Sequence, residues 1–444
     1  MSPKASALRN RWLIVIAGGV LMGAALGVRH VQGLFLQPVI SSQGWTREDF
    51  GLALALQNLV WGLAQPLTGI IADRYGSAKV VFTGMIVYAL ALMLMTYAQH
   101  PTAFALTNGI MIGIALSGTA FGVVYGALSR IFTGPQRTWA LAIAGALGGL
   151  GQFCMVPAAQ ALITVSTWQG AISVLCIVMI TLTPLALFLR DDMPAAAPGD
   201  ARASVPAGRA SRAPAHSPDD ASAKARPAAH PPEAAASTLT MRQAIRQALC
   251  HRGFWLLNLG FLACGFQLAF VAAHMPAYLM DRGLSAQQAG MTLAIIALTN
   301  IFGNYTCARL AGRWPAKQVL CVLYLLRTLA LAAFLAAPVS IWSAYLFSAV
   351  MGFLWLGTVP LTTDVILRIF GARYIATLFG FVFVGHQVGG FLGVWLGSVI
   401  YDTYHSYDPL WLLSIVIGLL AAGVHWPIDD RPVAYPGPLG GQVS

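Results

Sequence analysis

Trp168-Gln-Gly-Ala-Ile-Ser-Val-Leu-Cys-Ile-Val-Met-Ile-Thr-Leu-Thr-Pro-Leu-Ala-Leu-Phe-Leu189 is an apolar run without one charged side chain. About 20 such residues, wound as helix, cross the hydrocarbon core of a bilayer. The rest of the chain repeats the pattern. Of 444 residues, 57% are hydrophobic and 9% are Asp, Glu, Lys or Arg. Soluble domains carry about 45–50% apolar and about 25% charged residues, so this chain lacks a polar shell. The net charge of +11 does not signal nucleic acid, because the basic residues sit between apolar runs rather than on one folded face.

Twelve runs are long enough to span: 12–38, 47–72, 80–98, 102–128, 138–163, 168–189, 254–280, 287–312, 318–337, 340–367, 374–400 and 410–427. Lipid leaves no partner for free backbone groups, so these runs are helices, numbered spans 1 to 12. The fold class is all-α: an integral membrane protein of twelve transmembrane helices. With residue 1 placed in the cytoplasm, cytoplasmic segments hold 22 Lys and Arg and the opposite side holds two, Arg47 and Arg282. That asymmetry fits the positive-inside rule, with both termini cytoplasmic in an inner or plasma membrane. The first run is too long for a signal-peptide core and lacks a cleavage pattern. Five of six cysteines lie in spans and Cys250 in a loop, which supports neither a disulfide nor a metal site.

Residues 194–237 are rich in Ala and Pro and hold no aromatic residue, so 194–239 is expected to be a disordered cytoplasmic linker. Thr240 and Gln243 form a capping box that opens an amphipathic surface helix over 240–252, with Arg242, Arg246 and Arg252 suited to anionic lipid headgroups. The linker separates a bundle at 1–193 from one at 253–430, with a cytoplasmic tail at 431–444. A shift of 239 residues lays Gly51 on Gly290, Gly113 on Gly352, and Gly118-Thr119 on Gly357-Thr358. The same shift lays Thr46-Arg-Glu-Asp49 on Ser285-Ala-Gln-Gln288, two helix-opening signals. Two six-helix pseudo-repeats define a transporter architecture with the substrate near the midplane. Glycines four residues apart in spans 4 (Gly118, Gly122, Gly126), 5 (Gly145, Gly149) and 11 (Gly389, Gly393, Gly397) fit close helix packing, and weakly a rocking interface.

After span 2 comes Gly69-Ile-Ile-Ala-Asp73-Arg74-Tyr-Gly76-Ser-Ala-Lys79. It resembles the loop signature of the major facilitator superfamily, which implies that superfamily's fold and a cytoplasmic gate. In that gate Asp73 faces Arg373 or the start of the helix near Tyr374. A solvated turn is the plainer reading. Three further segments resemble the monocarboxylate transporter and oxalate/formate antiporter branch. Arg29-His-Val-Gln-Gly-Leu-Phe35 places Arg29 at the branch's lysine. Leu298-Thr-Asn-Ile-Phe-Gly-Asn304 carries Asn300 and Asn304 where monocarboxylate transporters have an Asp and a substrate-binding Arg. Gly380-Phe-Val-Phe-Val-Gly-His386 carries His386 where the antiporters have an anion-binding Lys.

A charge at the membrane centre costs at least about 2.5–3.5 kcal/mol on insertion scales, so each one needs a reason. Inside spans lie Arg29, Arg327 and Asp364, with His30, His274 and His386. Arg327 and Asp364 are expected to form a structural ion pair between peripheral span 9 and span 10. Arg29 is then a spare positive charge, and a carboxylate would satisfy it through two parallel hydrogen bonds. A cation nearby opposes protonation of His386 and an arriving carboxylate favours it, which couples anion to proton. His274 and His30 are secondary candidates for proton coupling, His274 equally for an outer gate or hinge. Asn300, Asn304, Gln57 and Asn58 can orient a substrate or glue helices, and Trp61, Trp355 and Phe383 can wall a pocket.

The expected function is secondary active transport of a small organic anion, a monocarboxylate above all, by alternating access with proton symport. The partners are the anion, protons and membrane lipids, with no nucleic acid, no cofactor and a monomeric state. Carboxylate exchange is the alternative. A drug–proton antiporter is less expected, because Glu48 and Asp49 sit at the outer end of span 2 and no acidic residue lies deeper in spans 1, 2, 4 or 5. A membrane sensor or intramembrane enzyme would not explain the repeat.

Overall fold

The computed structural model describes residues 3–132, 135–190, 240–371 and 374–433. The linker at 194–239, Arg373 and the tail from 434 lie outside the described residues, as do the side chains of 3–10, Asp73, Pro135, Arg137, Thr138 and Ala376. Among the described residues there is no strand. Span 1 is Pro3–His30 continued by a 3-10 turn, Gln32–Phe35, and a short helix, Leu36–Gln43. Span 2 is Arg47–Tyr75, span 3 Ser77–Thr96, span 5 Pro135–Val165, and span 6 Trp168–Leu182 with a 3-10 turn to Leu189. Span 4 is in pieces: Pro101–Phe104, a π-helical stretch at Ala105–Met111, then Ile112–Thr119 and Phe121–Ile131.

The surface helix is Met241–Cys250. Spans 7, 8 and 9 are Arg252–Asp281, Ala286–Ala311 and Ala316–Ala336. Span 10 is broken into Ile341–Phe353 and Thr358–Phe370, and spans 11 and 12 are Ile375–Tyr404 and Asp408–His425. The capping boxes read from sequence are present at Thr46, Thr240 and Ser285, each pairing the cap hydroxyl with the backbone N–H three residues on.

Eleven of these segments are long and apolar enough to cross a membrane. The exception is span 2, a continuous helix of 29 residues. Gln57, Asn58, Gln65 and Pro66 dilute its apolar character, because this helix faces protein rather than lipid over much of its length. Lipid-facing character sits elsewhere: Leu412, Leu419 and Leu420 on span 12, Leu325 and Leu329 on span 9, and Ile177 and Ile180 on span 6 are all exposed. Exposed apolar surface of that extent is stable only against lipid or another apolar surface.

Spans 2 and 11 form one seam between the first and second halves, and spans 5 and 8 form the other. Gly51, Gly62 and Gly69 lie on one face of span 2, spaced at 11 and 7 residues. Gly51 packs on Ser398, and a methyl at Gly62 would stand 2.6 Å from Gln387 Cβ. Two turns further on, among the described residues, nothing lies within 4 Å of a methyl built on Gly69, nor of one on Gly380, which occupies the matching face of span 11. Among the described residues, this seam is therefore tight towards the Arg47 end and open at Gly69 and Gly380.

The span 11 glycines do not face that seam. Gly389 packs on Leu262 and Gly393 on Phe266, both in span 7, and Gly397 packs on His274. Gly118 and Gly122 meet spans 3 and 2 of their own half, and of the spaced glycines only Gly149 reaches across, to Ile301. Close packing inside each half accounts for this spacing, not a rocking surface.

Candidate functional site

Arg29 ends the long helix of span 1 and points at span 2. One guanidinium nitrogen donates to Asn58 Oδ1. The group also lies over the Trp61 ring, 5.1 Å from its centroid. Asn58 is turned for this role, since its Nδ2 is spent on the Leu54 carbonyl at 2.9 Å. Trp61 is fixed by Gln65, whose Oε1 accepts the indole N–H at 2.9 Å and whose amide donates to the Ser117 carbonyl at 3.2 Å. Arg29 Nε is buried without a partner, and among the described residues no carboxylate pairs with this guanidinium. A half-buried cation facing an amide and a π-face is solvated only in part, which leaves it able to take an anion.

His386 lies beyond an aromatic wall. Trp61 meets Phe383 edge-on at 5.4 Å between centroids. Phe383 is parallel to His386 at 5.9 Å, and Phe261 lies 4.7 Å from the imidazole. The ring Nδ1 of His386 stands 3.2 Å from Gln387 Oε1. Arg29, Asn58 and His386 thus belong to one region, with Trp61 and Phe383 between the cation and the imidazole.

The other amides go elsewhere. Gln57, one residue from Asn58, points away from it and donates to the carbonyl and side-chain oxygens of Asn108 at 3.0 and 3.2 Å. It holds the π-helical stretch of span 4, the helix-bonding role that the sequence offered beside substrate contact. Asn300 accepts the Leu356 N–H at 3.1 Å and the Asn304 amide at 3.3 Å. Asn300 thereby supports the break in span 10, and Asn304 supports Asn300 from one turn along the same helix.

The expected ion pair between Arg327 and Asp364 is absent. Asp364 bonds Arg368 on its own helix at 2.7 Å. Arg327, fully buried, donates to the carbonyls of Leu354 and Trp355 and approaches Cys264 Sγ and Gln267 Oε1 at 3.4 Å. The physical reason is the break itself: it frees main-chain oxygens that a guanidinium can take from below, while Asn300 takes the freed N–H from the side.

The histidines divide. His30 Nε2 donates across the halves to the Leu293 carbonyl at 2.9 Å. His274 is fully buried, with Nε2 2.9 Å from the Val394 carbonyl and Nδ1 3.1 Å from the Tyr407 hydroxyl. A carbonyl only accepts, so Nε2 carries the proton, and a neutral ring then accepts the Tyr407 O–H. His30, next to Arg29 in the chain, thus ties the two halves together, while His274 braces helices within the second half.

Around the loop signature, Gly76 has a φ of 94°, a left-handed backbone that glycine adopts without strain. Arg74 and Lys79 are exposed, and no described residue lies within 4 Å of a methyl built on Gly69. Asp73's side chain and Arg373 lie outside the described residues, so the expected latch between them does too.

One cluster escaped the sequence reading. Arg47 pairs with Asp281 at 2.7 Å and donates to the Tyr407 hydroxyl at 2.7 Å. Asp402 accepts the backbone N–H groups of Arg47 and Glu48 at 3.3 and 2.6 Å. The available signal was a run of acids at the ends of spans 7, 11 and 12 (Asp281, Asp402, Asp408) on the side that holds Arg47 and Arg282.

Broken helices around a two-sided seam, with polar side chains at the centre of an apolar bundle, define a membrane transporter of two helical halves. The sequence model of the Major Facilitator Superfamily matches residues 15–394, and the chain belongs to that superfamily. It is accordingly a multi-pass membrane transporter and not an enzyme. It is 23% identical over 440 residues to the uncharacterized MFS-type transporter YcxA of Bacillus subtilis (strain 168), covering 96% of this chain and 95% of that one. It is 24% identical over 411 residues to monocarboxylate transporter 11 of Homo sapiens, covering 91% and 79%. Among solved structures, a bacterial homolog of the human lysosomal transporter Spinster, inward-facing and unoccupied, shares the fold with a TM-score of 0.73 at 14% identity, covering 95% of this chain and 98% of that one.

Proposed function

We propose that this transporter carries a small organic anion, a monocarboxylate, by alternating access, coupled to a proton. The observation that carries the reading is Arg29: a central guanidinium bonded to Asn58, laid over Trp61, with no described carboxylate partner. One such cation suits one carboxylate. The human relative is named a monocarboxylate transporter, which supports the same class. His386, on the far side of Phe383, is the coupling group in this reading, because its ring nitrogen meets a rotatable side-chain amide, Gln387, rather than a main-chain oxygen.

The charge asymmetry of the loops supports an inner or plasma membrane with both termini cytoplasmic. The Arg47 end is then the outer end, and the seam between spans 2 and 11 opens towards the cytoplasm. The linker between the halves serves as a cytoplasmic tether.

The test is reconstitution in liposomes with internal pH recorded while lactate, pyruvate, formate or oxalate is offered outside. Acidification beyond that of protein-free liposomes is the expected result for symport. Carboxylate exchange is the second reading, favoured by one observation: His30 and His274 are bonded to main-chain oxygens, which leaves His386 alone for coupling. Labelled carboxylate entering only carboxylate-loaded liposomes, with no pH change, would select exchange. No uptake of either kind would remove the anion assignment.

A further inference from the structure

We propose that Arg47 is the crossbar that holds the outer end of the transport path shut, and that its guanidinium must leave Asp281 and Tyr407 in every transport cycle. The inference uses the alternating-access reading above but not the identity of the cargo.

Arg47 belongs to the first half, yet all its partners belong to the second. Only 5% of the residue is exposed. One terminal nitrogen meets Asp281 at the end of span 7, and the other donates to Tyr407 at the start of span 12. The plane of the group lies on the Tyr401 ring of span 11, 3.5 Å from its centroid. Asp402 holds the N-terminus of span 2 through two backbone N–H groups. One residue of span 2 therefore engages three helices of the other half.

The partners are themselves braced. The Tyr407 hydroxyl accepts from Arg47 and donates to His274 Nδ1, and His274 Nε2 donates to the Val394 carbonyl. Every donor in this chain has an acceptor, so the arrangement holds one geometry instead of several. Among the described residues, Arg47–Asp281 is the one ion pair that joins the halves. Arg282–Asp408 and Lys317–Asp430 lie within the second half. Asp364–Arg368 is local to one helix, and Asp429–Arg431 to one loop.

The neighbouring contacts between halves are of another kind. His30 bonds one carbonyl of span 8, and Gly33 lies against the main-chain oxygens of Ala272 and Ala273. These set how closely the halves approach. Arg47 adds a charge-assisted, directional attachment that favours the closed end specifically. A state with the outer end open loses it, so its strength biases the equilibrium between the two states.

Ser398 reports the opening. It is fully buried in span 11 and packs on Gly51, one turn from Arg47. Ser398→Cys preserves its size. The full chain carrying that change is placed in lipid nanodiscs, where both faces are accessible. A membrane-impermeant maleimide is added, and the labelling rate at position 398 is read by peptide mass spectrometry, which separates it from the native cysteines. Arg47→Gln and Asp281→Asn are each expected to raise the rate about tenfold, the effect of removing ~1.4 kcal/mol of bias. Arg282→Gln, at the same end but not bridging, is expected to leave it unchanged. An unaltered rate in both Arg47→Gln and Asp281→Asn, or an equal rise in Arg282→Gln, would overturn the proposal. No cargo enters the assay, so its failure is separable from failure of the carboxylate reading.

Discussion

Arg327 donates to the main-chain oxygen of Trp355 at 2.9 Å, across from span 9 to the break in span 10. Asn300 of span 8 meets the same break through the N–H of Leu356. An unwound turn inside a bilayer is tolerated only where its backbone groups find partners. Span 4 solves the matching problem with Gln65 and Thr68, both of which donate to the Ser117 carbonyl. The two halves thus support their broken helices by different chemistry, an arginine in one and an amide with a hydroxyl in the other.

Stability should follow this division. Hydrogen bonds to a charged group contribute about 1.5–3 kcal/mol each, and losing them here leaves carbonyls bare in an apolar interior. Arg327→Met should therefore lower the thermal unfolding midpoint strongly. Asp364→Asn should barely move it, because a partly exposed pair one helical turn apart contributes about 0.3–0.5 kcal/mol. Thermal unfolding of both variants in one detergent checks the contrast, and equal losses would restore the ion pair that the sequence suggested.

That suggestion failed for reasons visible in particular residues. Asp364 had a local partner four residues on, Arg368, and proximity along a helix beats a partner on another span. Gly352-Phe-Leu-Trp-Leu-Gly-Thr358 reads as continuous apolar helix, so the freed carbonyls beneath Arg327 could not be foreseen. What was legible rested on local pattern: apolar run lengths, the repeat at 239 residues, and the caps at Thr46, Thr240 and Ser285. Arg29 stood out because a charge in an apolar run needs a partner. Arg47 did not, because a charge at a span end needs none, and its partners Asp281 and Tyr407 lie 234 and 360 residues away.

Arg29→Gln should cost carboxylate affinity more than it costs folding. Glutamine keeps a polar group on span 1, but it brings no charge. Losing a charge-assisted contact of about 1.5–3 kcal/mol raises the half-saturation concentration by roughly 10- to 150-fold. Concentration-dependent uptake in liposomes measures it. An unchanged half-saturation would place the anion elsewhere.

His386 and His274 should separate coupling from closure. His386→Asn should abolish accumulation driven by a pH gradient while carboxylate exchange continues, because only the proton-carrying group is lost. Equal loss of both activities would make His386 a binding or packing residue. His274→Asn should keep the coupling and loosen the outer end, since the Val394 carbonyl and Tyr407 hydroxyl lose a shared partner. Counterflow and gradient-driven uptake, measured on the same vesicles, distinguish the two.

Spans 7 and 11 meet backbone to backbone, and Gly265 makes that possible. A methyl group there would collide with the main-chain oxygen of His386, which cannot swing aside as a side chain can. Gly265→Ala must therefore push the two helices apart. Overpacking of this kind costs about 1–3 kcal/mol. Because the displaced oxygen belongs to His386, the same change should also weaken proton coupling in any protein that still folds. Gly380 on span 11 supplies the contrast, with nothing within 4 Å of its α-carbon's missing substituent. There the only effect of Gly380→Ala is the relief of glycine's backbone freedom, worth roughly 0.5–1 kcal/mol in a helix. Thermal unfolding should fall for Gly265→Ala and hold or rise for Gly380→Ala, and a shared decline would mean that span 11 tolerates no change on either face.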